Sequence, residues 1–156
     1  MIRVQAEDFD VGAEIRAMSA GRDDIGAVVS FTGIVRAGTG ERAIRAMTLE
    51  YYAGMTEKEL ERIEGEARER WPISDSLIVH RHGRLLPGDN IVLVITASPH
   101  RQAAFEAAAF LMDYLKTNAP FWKKEELAGG GSDWVAAQSA DDAAAGRWEA
   151  GTKSAE

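Results

Sequence analysis

The residues best suited to chemistry are five basic side chains between His100 and Lys124. His100 and Arg101 stand at the start of an expected helix, Lys116 stands at its end, and Lys123 and Lys124 follow in an extended run. The free N–H groups in the first turn of a helix, together with nearby cations, favour an anion, most simply a phosphate. The segment therefore predicts a site for a small anionic substrate.

Each of these side chains also has an ordinary structural explanation. His100 and Arg101 can be solvated surface residues, and Lys116 can complement the negative end of the helix dipole. Lys123 and Lys124 can protect a solvent-exposed edge strand. From the local pattern alone, both explanations remain open.

Composition limits the classes of protein to which the chain can belong. Its 156 residues, 46% of them hydrophobic, predict a single domain over residues 1–150 with a frayed tail at 151–156. The net charge of −7 argues against a general nucleic-acid binder. The absence of cysteine excludes disulfides, thiolate catalysis and cysteine-ligated zinc. With no long apolar run and no signal-peptide pattern, we expect a soluble cytoplasmic protein.

Apolar periodicity predicts an α+β fold. Strands are expected at residues 2–5, 26–36, 43–52, 76–84, 90–97, 121–127 and 133–137. Helices are expected from about 10 to 20, from 55 to 70, from 99 to 117, and from a cap at 139 or 141 to 148. Residues 37–42 form a glycine-rich loop, and residues 85–89 form a turn. The strands come in adjacent groups without strict βαβ units, which favours α+β over doubly wound α/β.

Two helix starts carry recognisable capping patterns. Ser98 is expected to cap the helix around which the chain is organised, with Pro99 at its first position. Thr56 and Glu59 resemble a capping box. The apolar stripe of the organising helix consists of Ala104, Ala107, Ala108, Leu111 and Leu115.

Two strand patterns carry further local expectations. Residues 26–36 form a largely buried strand in which Gly33 indicates a bulge or a close approach by another group. His80 and His82 lie two positions apart, so their side chains are expected on the same side. A metal site there is disfavoured because no third ligand is evident nearby.

Four stretches together resemble the large, catalytic subunit of molybdopterin synthase: GAVVSFTGIVR, LEYYAGMTEKEL, HRHGRLLPGD and SPHRQAAFEAAAFLMDYLKTNAPFWKKE. The resemblance extends from about Ile2 to Trp148. It implies an α/β-hammerhead type of fold with an additional antiparallel sheet, and neither a metal nor a bound cofactor. The implied reaction converts cyclic pyranopterin monophosphate into molybdopterin by installing two dithiolene sulfurs.

The resemblance also implies the partners. The sulfur donor is a small ubiquitin-like subunit whose C-terminal Gly-Gly ends in a thiocarboxylate and inserts into a pocket of the large subunit. Two large subunits form the central homodimer of a heterotetramer. The lack of cysteine in this chain agrees with an external sulfur donor.

The same resemblance assigns roles to particular residues. The substrate-binding set it implies is Ile34, Val35, Arg36, His100, Arg101, Lys116, Lys123, Lys124 and Glu125. Lys116 is expected to position the thiocarboxylate. A lysine beside another cation releases its proton more readily, so Lys123, next to Lys124, is expected to transfer protons. One position departs from the family pattern, because Gln138 stands where a basic residue is common.

Two other functions remain as alternatives. A non-catalytic subunit could use the same cations to hold a phosphorylated ligand or the tail of a partner. An unrelated phosphate-ester enzyme is less favoured, because the sequence has neither a phosphate-binding glycine loop nor an evident cluster of metal-binding carboxylates.

Overall fold

The computed structural model describes residues 1–135 and 139–149. The strands in those ranges are β1 (Ile2–Gln5), β2 (Ala27–Ile34), β3 (Ile44–Tyr51), β4 (Asp75–Arg81), β5 (Gly83–Leu85), β6 (Asn90–Ser98), β7 (Phe121–Leu127) and β8 (Ser132–Val135). The helices are α1 (Val11–Ser19), α2 (Met55–Arg70), α3 (Arg101–Thr117) and α4 (Ser139–Gly146), with a 3₁₀ turn at Gly40–Arg42. In the described part of the chain, no helix is long and apolar enough to cross a membrane.

The first sheet, called the central sheet below, has the strand order β1-β4-β6-β2. β1 pairs in parallel with β4, and the other pairs are antiparallel. One face packs against α2 and α3 around Ile78, Val94 and Phe110, and the other packs against α1 around Val79 and Ile95. Because β4 and β6 are covered on both faces, their sequences are nearly continuous apolar runs.

The second sheet is antiparallel, with the strand order β5-β3-β7-β8. Its buried cluster consists of Val35, Met47, Leu49 and Leu85. This is the additional antiparallel sheet, and the predicted α+β class is confirmed. The predicted apolar stripe of α3 is confirmed as well, since all five of its residues are buried.

The predicted strand over residues 76–84 is wrong as a single element. β4 belongs to the central sheet and β5 to the second sheet, and the chain changes sheets at His82. Gly83 follows with a φ of 87°, in the left-handed region that favours glycine. The pattern did not reveal the break because the residues on both sides of it are strand formers.

The predicted burial of residues 26–36 is also wrong. β2 is an edge strand that ends at Ile34, and the exposed fractions of Phe31 and Ile34 are 41% and 54%. The expectation for Gly33 is confirmed. The strand register shifts between Gly33 and Ile34, and a Cβ atom on Gly33 would lie 2.7 Å from Cγ1 of Val92.

The organising helix, α3, begins two residues later than predicted. Ser98 belongs to β6, where its hydroxyl donates to the carbonyl of Pro72 at 2.9 Å. The same hydroxyl accepts from the N–H of His100 at 3.2 Å. His100 is therefore the N-cap residue, and no side chain caps the helix.

α2 has the predicted bounds, but its predicted capping box is wrong. The N-cap is Gly54, whose N–H donates to the carboxylate of Glu57 at 2.6 Å. Thr56 is fully buried and lies one turn before Leu60 on the apolar face of the helix. Its hydroxyl bonds to the main chain of Tyr52 and Pro120 and does not cap the free N–H groups of the first helical turn.

The predicted hairpin near the C-terminus is confirmed as β7 and β8. Its position in the sheet decides one of the structural explanations given above for the lysines. β7 lies between β3 and β8, so the edge-strand explanation for Lys123 and Lys124 is wrong. After α4, the ring of Trp148 packs 5.5 Å from that of Trp71. Gln138, the tail at 151–156 and the side chains expected to cap α4 lie outside the described residues.

Candidate active site

Cations occupy both ends of α3. His100 and Arg101 are exposed at its start, and Lys116 is exposed in its last turn. Arg101 and Lys116 are fifteen positions apart, so about 22 Å of helix separates them at roughly 1.5 Å per residue. Within one chain these two ends cannot hold the same small phosphate.

Lys116 is an exposed cation whose side chain makes no hydrogen bond or ion pair with any of the described residues. Its positive charge acts on the buried ring of His80, near the end of the central sheet, and lowers the pKa of that ring. An ammonium without a carboxylate partner is available to hold an anion.

Lys123 and Lys124 lie on opposite faces of β7. Lys123 Nζ is 3.5 Å from the carboxylate of Glu125, and both side chains are more than half buried. Lys124 instead approaches the ring of Trp134, 5.8 Å from its centroid on the outer face. The premise that Lys124 acts on Lys123 is therefore wrong, because adjacent strand residues point in opposite directions.

His80 provides a feature of the site that the sequence did not indicate. Its ring stacks on that of Phe121, with centroids 3.7 Å apart and planes 17° from parallel. Burial lowers the pKa of His80 to about 4, and the positive charges of Lys116 and His82 contribute in the same direction. Nδ1 lies 2.9 Å from the carbonyl oxygen of Arg81, which can only accept, so Nδ1 donates its proton there. The imidazole of His80 is thus neutral at pH 7.

His82 and Tyr51 complete this cluster. The ring of His82 lies 4.7 Å from that of Tyr51, and the ring of Tyr51 lies 6.3 Å from that of Phe121. The two histidines therefore face the same side, as predicted. Among the described residues, no three histidine or carboxylate groups are placed to hold a metal ion.

The segment Ile34 to Arg36 contributes main chain and one exposed cation. Val35 is only 2% exposed and packs in the same cluster as Leu49, which is the register partner of Lys123. The N–H of Val35 donates to the carbonyl of Asp89 at 2.9 Å. The loop that carries the exposed Arg36 is thus anchored to the part of the second sheet that holds Lys123.

A surface cleft of about 390 Å³ adjoins these lysines, between α2 and the end of α3. Its lining consists of Met55, Lys58, Glu59, Arg62, Asn118 and Pro120. Asn118 and Pro120 belong to the connection between Lys116 and Lys123. The cleft therefore lies next to this connection, and neither Lys116 nor Lys123 belongs to its lining.

The geometry defines an α+β protein of two sheets, with basic side chains near the junction between them. The chain belongs to the MoaE protein family, whose signature matches residues 4–118. It is 57% identical over 148 residues to the molybdopterin synthase catalytic subunit of Rhizobium meliloti, covering 94% of each chain.

Solved structures share the whole fold. The molybdopterin biosynthesis MoaE protein from Burkholderia ambifaria is 53% identical, with a TM-score of 0.80 over 96% of this chain and 97% of that one. Molybdopterin synthase from Staphylococcus aureus is 35% identical, with a TM-score of 0.78 over 86% of this chain and 96% of that one.

The buried neutral His80 makes stability depend on pH. Its pKa is about 4 in the folded protein and about 6.5 when unfolded, so only the unfolded chain takes up this proton between those values. The folded state therefore has its full stability with respect to His80 above pH 6.5, and it loses stability as the pH falls from 6.5 to 4. We expect the free energy of unfolding to fall by about 3 kcal/mol more in the wild type than in His80→Phe, which keeps the ring stack.

Urea unfolding of both proteins between pH 7 and pH 4 measures this difference. His80→Phe is the matched control, because all other titrating groups are the same. Parallel pH profiles would mean that His80 is not held neutral by the fold.

Proposed function

We propose that this protein is the catalytic subunit of a molybdopterin synthase. It transfers sulfur from the thiocarboxylated C-terminus of a small ubiquitin-like subunit to cyclic pyranopterin monophosphate, making the dithiolene of molybdopterin. The observation that carries the proposal is an exposed Lys116 ammonium with no ion-pair partner among the described residues, in a chain of this family. The reaction needs an external sulfur donor, and this chain has no cysteine of its own.

The charged side chains suggest a separate role for each group in the proposed reaction. A thiocarboxylate is anionic, and Lys116 can hold it because no carboxylate of the described chain competes for the ammonium. Lys123 has Glu125 at 3.5 Å, so the two together can pass a proton as the transition state forms. Arg36, His100 and Arg101 bind the cyclic phosphate and offset charge as its ring opens. Ile34 and Val35 lead into Arg36, and Lys124 remains a proposed substrate contact from the outer face of β7.

The partner enters by its C-terminal tail. The proposed entry for the tail is the cleft beside Asn118 and Pro120, which are two and four positions after Lys116. Phe121 faces His80, whereas Trp122 is on the opposite face of β7 and 48% exposed, so the two rings do not line one channel. The tail instead passes along the Phe121 face.

The assembly follows from the length of α3. Since about 22 Å separates Arg101 from Lys116, a complete site needs Arg101 of one chain and Lys116 of another. A two-fold dimer supplies both at once. Two large subunits with a small subunit at each end give a heterotetramer.

The first test concerns the two lysines. Lys116→Ala and Lys123→Ala should each lower the rate of molybdopterin formation by about 100-fold or more, because each removes a group that acts on the transferred sulfur or proton. Arg16→Ala, an exposed cation on α1, is the matched control and should remain active. The assay combines purified protein, thiocarboxylated small subunit and pterin substrate.

Charge-preserving variants separate the two roles. Lys116→Arg should keep part of the activity, since it retains the cation. Lys123→Arg should not, because a guanidinium does not release its proton. If the protein were a non-catalytic binding subunit, neither the wild type nor any of these variants would form molybdopterin. Full activity in both alanine variants would rule out the proposed roles.

The second test concerns the donor tail. Replacing the penultimate glycine of the small subunit by a bulky residue such as tryptophan should block transfer, since only glycine lets main chain pass so closely to its neighbours. Binding of the body of the small subunit, measured by calorimetry, is the control. Normal turnover with the bulky tail would disprove close passage by the Phe121 face.

The third test asks whether the site is shared between chains. Arg101→Ala and Lys116→Ala should each be inactive alone. If the two proteins are unfolded and refolded together, half of the dimers are mixed, and each mixed dimer has one intact site. Activity should recover to about a quarter of wild type, as two-fold symmetry requires. If proven mixed dimers show no activity, the site lies within one chain.

A further inference from the structure

The connection between Lys116 and Lys123 determines how their two amines are placed relative to each other. It contains the last turn of α3, the turn at Asn118 to Pro120, and the start of β7. The N–H of Asn118 closes the helix on the carbonyl of Tyr114 at 2.8 Å, and the N–H of Phe121 bonds to the carbonyl of Ala119 at 2.8 Å. These local bonds shape the turn but do not attach it to the rest of the protein.

Thr56 attaches the turn at Pro120. Its hydroxyl donates to the carbonyl of Pro120 at 3.2 Å and accepts from the N–H of Tyr52 at 3.2 Å. Thr56 is fully buried on α2, on the same face as Leu60, so its position is fixed by the core. The hydroxyl thus ties a residue between the two lysines to a packed helix.

His80 attaches the next residue, Phe121, by ring stacking at 3.7 Å. It is 8% exposed and lies on the face of β4 that also carries Ile78, beneath α2 and α3. Phe121 and Lys123 are two positions apart on β7, so their side chains share a face. The ring stack therefore fixes the strand face from which Lys123 projects.

We propose that Thr56 and His80 are positioning residues of the sulfur-transfer site. Thr56 holds Pro120 and His80 holds Phe121, and together they set the separation and direction of Lys116 and Lys123. Neither touches the reacting atoms. The inference rests on the proposed function, because it gives those lysines their roles. A misplacement of about 1 Å in a catalytic group can lower a rate about 100-fold, so two such contacts can control turnover.

The chain offers a matched control for Thr56. Thr96 is also fully buried, and its hydroxyl also donates to a main-chain carbonyl, that of Ala104, at 2.7 Å. Thr56→Val and Thr96→Val each keep the shape of the side chain and remove one such hydrogen bond, and Thr56→Val also removes the acceptor of the Tyr52 N–H. Both variants should therefore lose stability, Thr56→Val more, and only Thr56→Val changes the connection between the lysines.

The experiment measures turnover and local motion in both threonine variants. Thr56→Val should lower kcat roughly ten- to hundredfold, with the KM for the pterin substrate unchanged within about twofold, because other residues hold the phosphate. Thr96→Val should keep its kcat. Amide hydrogen exchange over residues 117–123 should become faster in Thr56→Val and not in Thr96→Val.

Substitutions of His80 test the ring stack in the same assays. His80→Leu removes the stacked ring and should lower kcat by a similar roughly tenfold or greater factor. His80→Phe keeps an aromatic ring against Phe121 and should retain kcat within about threefold of wild type. Recovery by phenylalanine distinguishes positioning by the ring from a requirement for the imidazole nitrogens.

Each outcome supports or overturns the inference. Equal losses of kcat in Thr56→Val and Thr96→Val, or equal losses in His80→Leu and His80→Phe, would contradict it, as would unchanged hydrogen exchange over 117–123. Failure of the proposed function is a different result, since the wild type would then form no molybdopterin. In that case the hydrogen-exchange comparison still tests whether these residues hold the connection.

Discussion

The contact on which the site depends is the stacking of the His80 ring on the Phe121 ring, because a strand of the central sheet meets a strand of the second sheet there. A protonated imidazole in that position would be buried against an aromatic ring and close to Lys116. The fold avoids this cost by keeping the ring neutral, with its single proton donated to the carbonyl of Arg81. The two sheets can therefore approach closely without adding a cation to the site.

Electrostatics separates the residues that hold the fold from those available for chemistry. On α2, Arg62 and Arg68 bond to glutamates of the same helix, and Arg84 pairs with Glu126 across the second sheet. These exposed pairs contribute little stability each, but they neutralise the arginines involved. Lys116 has no such partner in the described chain. A local cation thus persists on a protein whose overall charge is −7.

The sequence predicted most of the helices and strands, but fewer of the strand pairings and packing contacts between them. Apolar periodicity located α2 and the buried stripe of α3, because burial of one helix face determines both. The break at His82 and the exposure of β2 depend on which strands pair, and a local pattern does not contain that information.

The same limit applies to the site. The cations between His100 and Lys124 were identifiable by residue type and by family resemblance. Strand alternation alone would have placed Lys123 and Lys124 on opposite faces, once β7 was predicted as a strand. The role of Thr56 was missed because a threonine near a helix start is usually a cap. His80 was considered only as a metal ligand, and its contact with Phe121 joins residues 41 positions apart.

The change of sheet at Gly83 constrains how this part of the sequence can vary. Arg81 and His82, between His80 and Gly83, are only partly exposed, and the number of residues in this stretch matters as much as their contacts. One inserted residue in β4 before His80 would turn the imidazole to the opposite face, under α1, and away from Phe121. One deleted residue would do the same. We therefore expect that relatives exclude changes in the length of this stretch, so that spacing identifies the site as well as residue identity does.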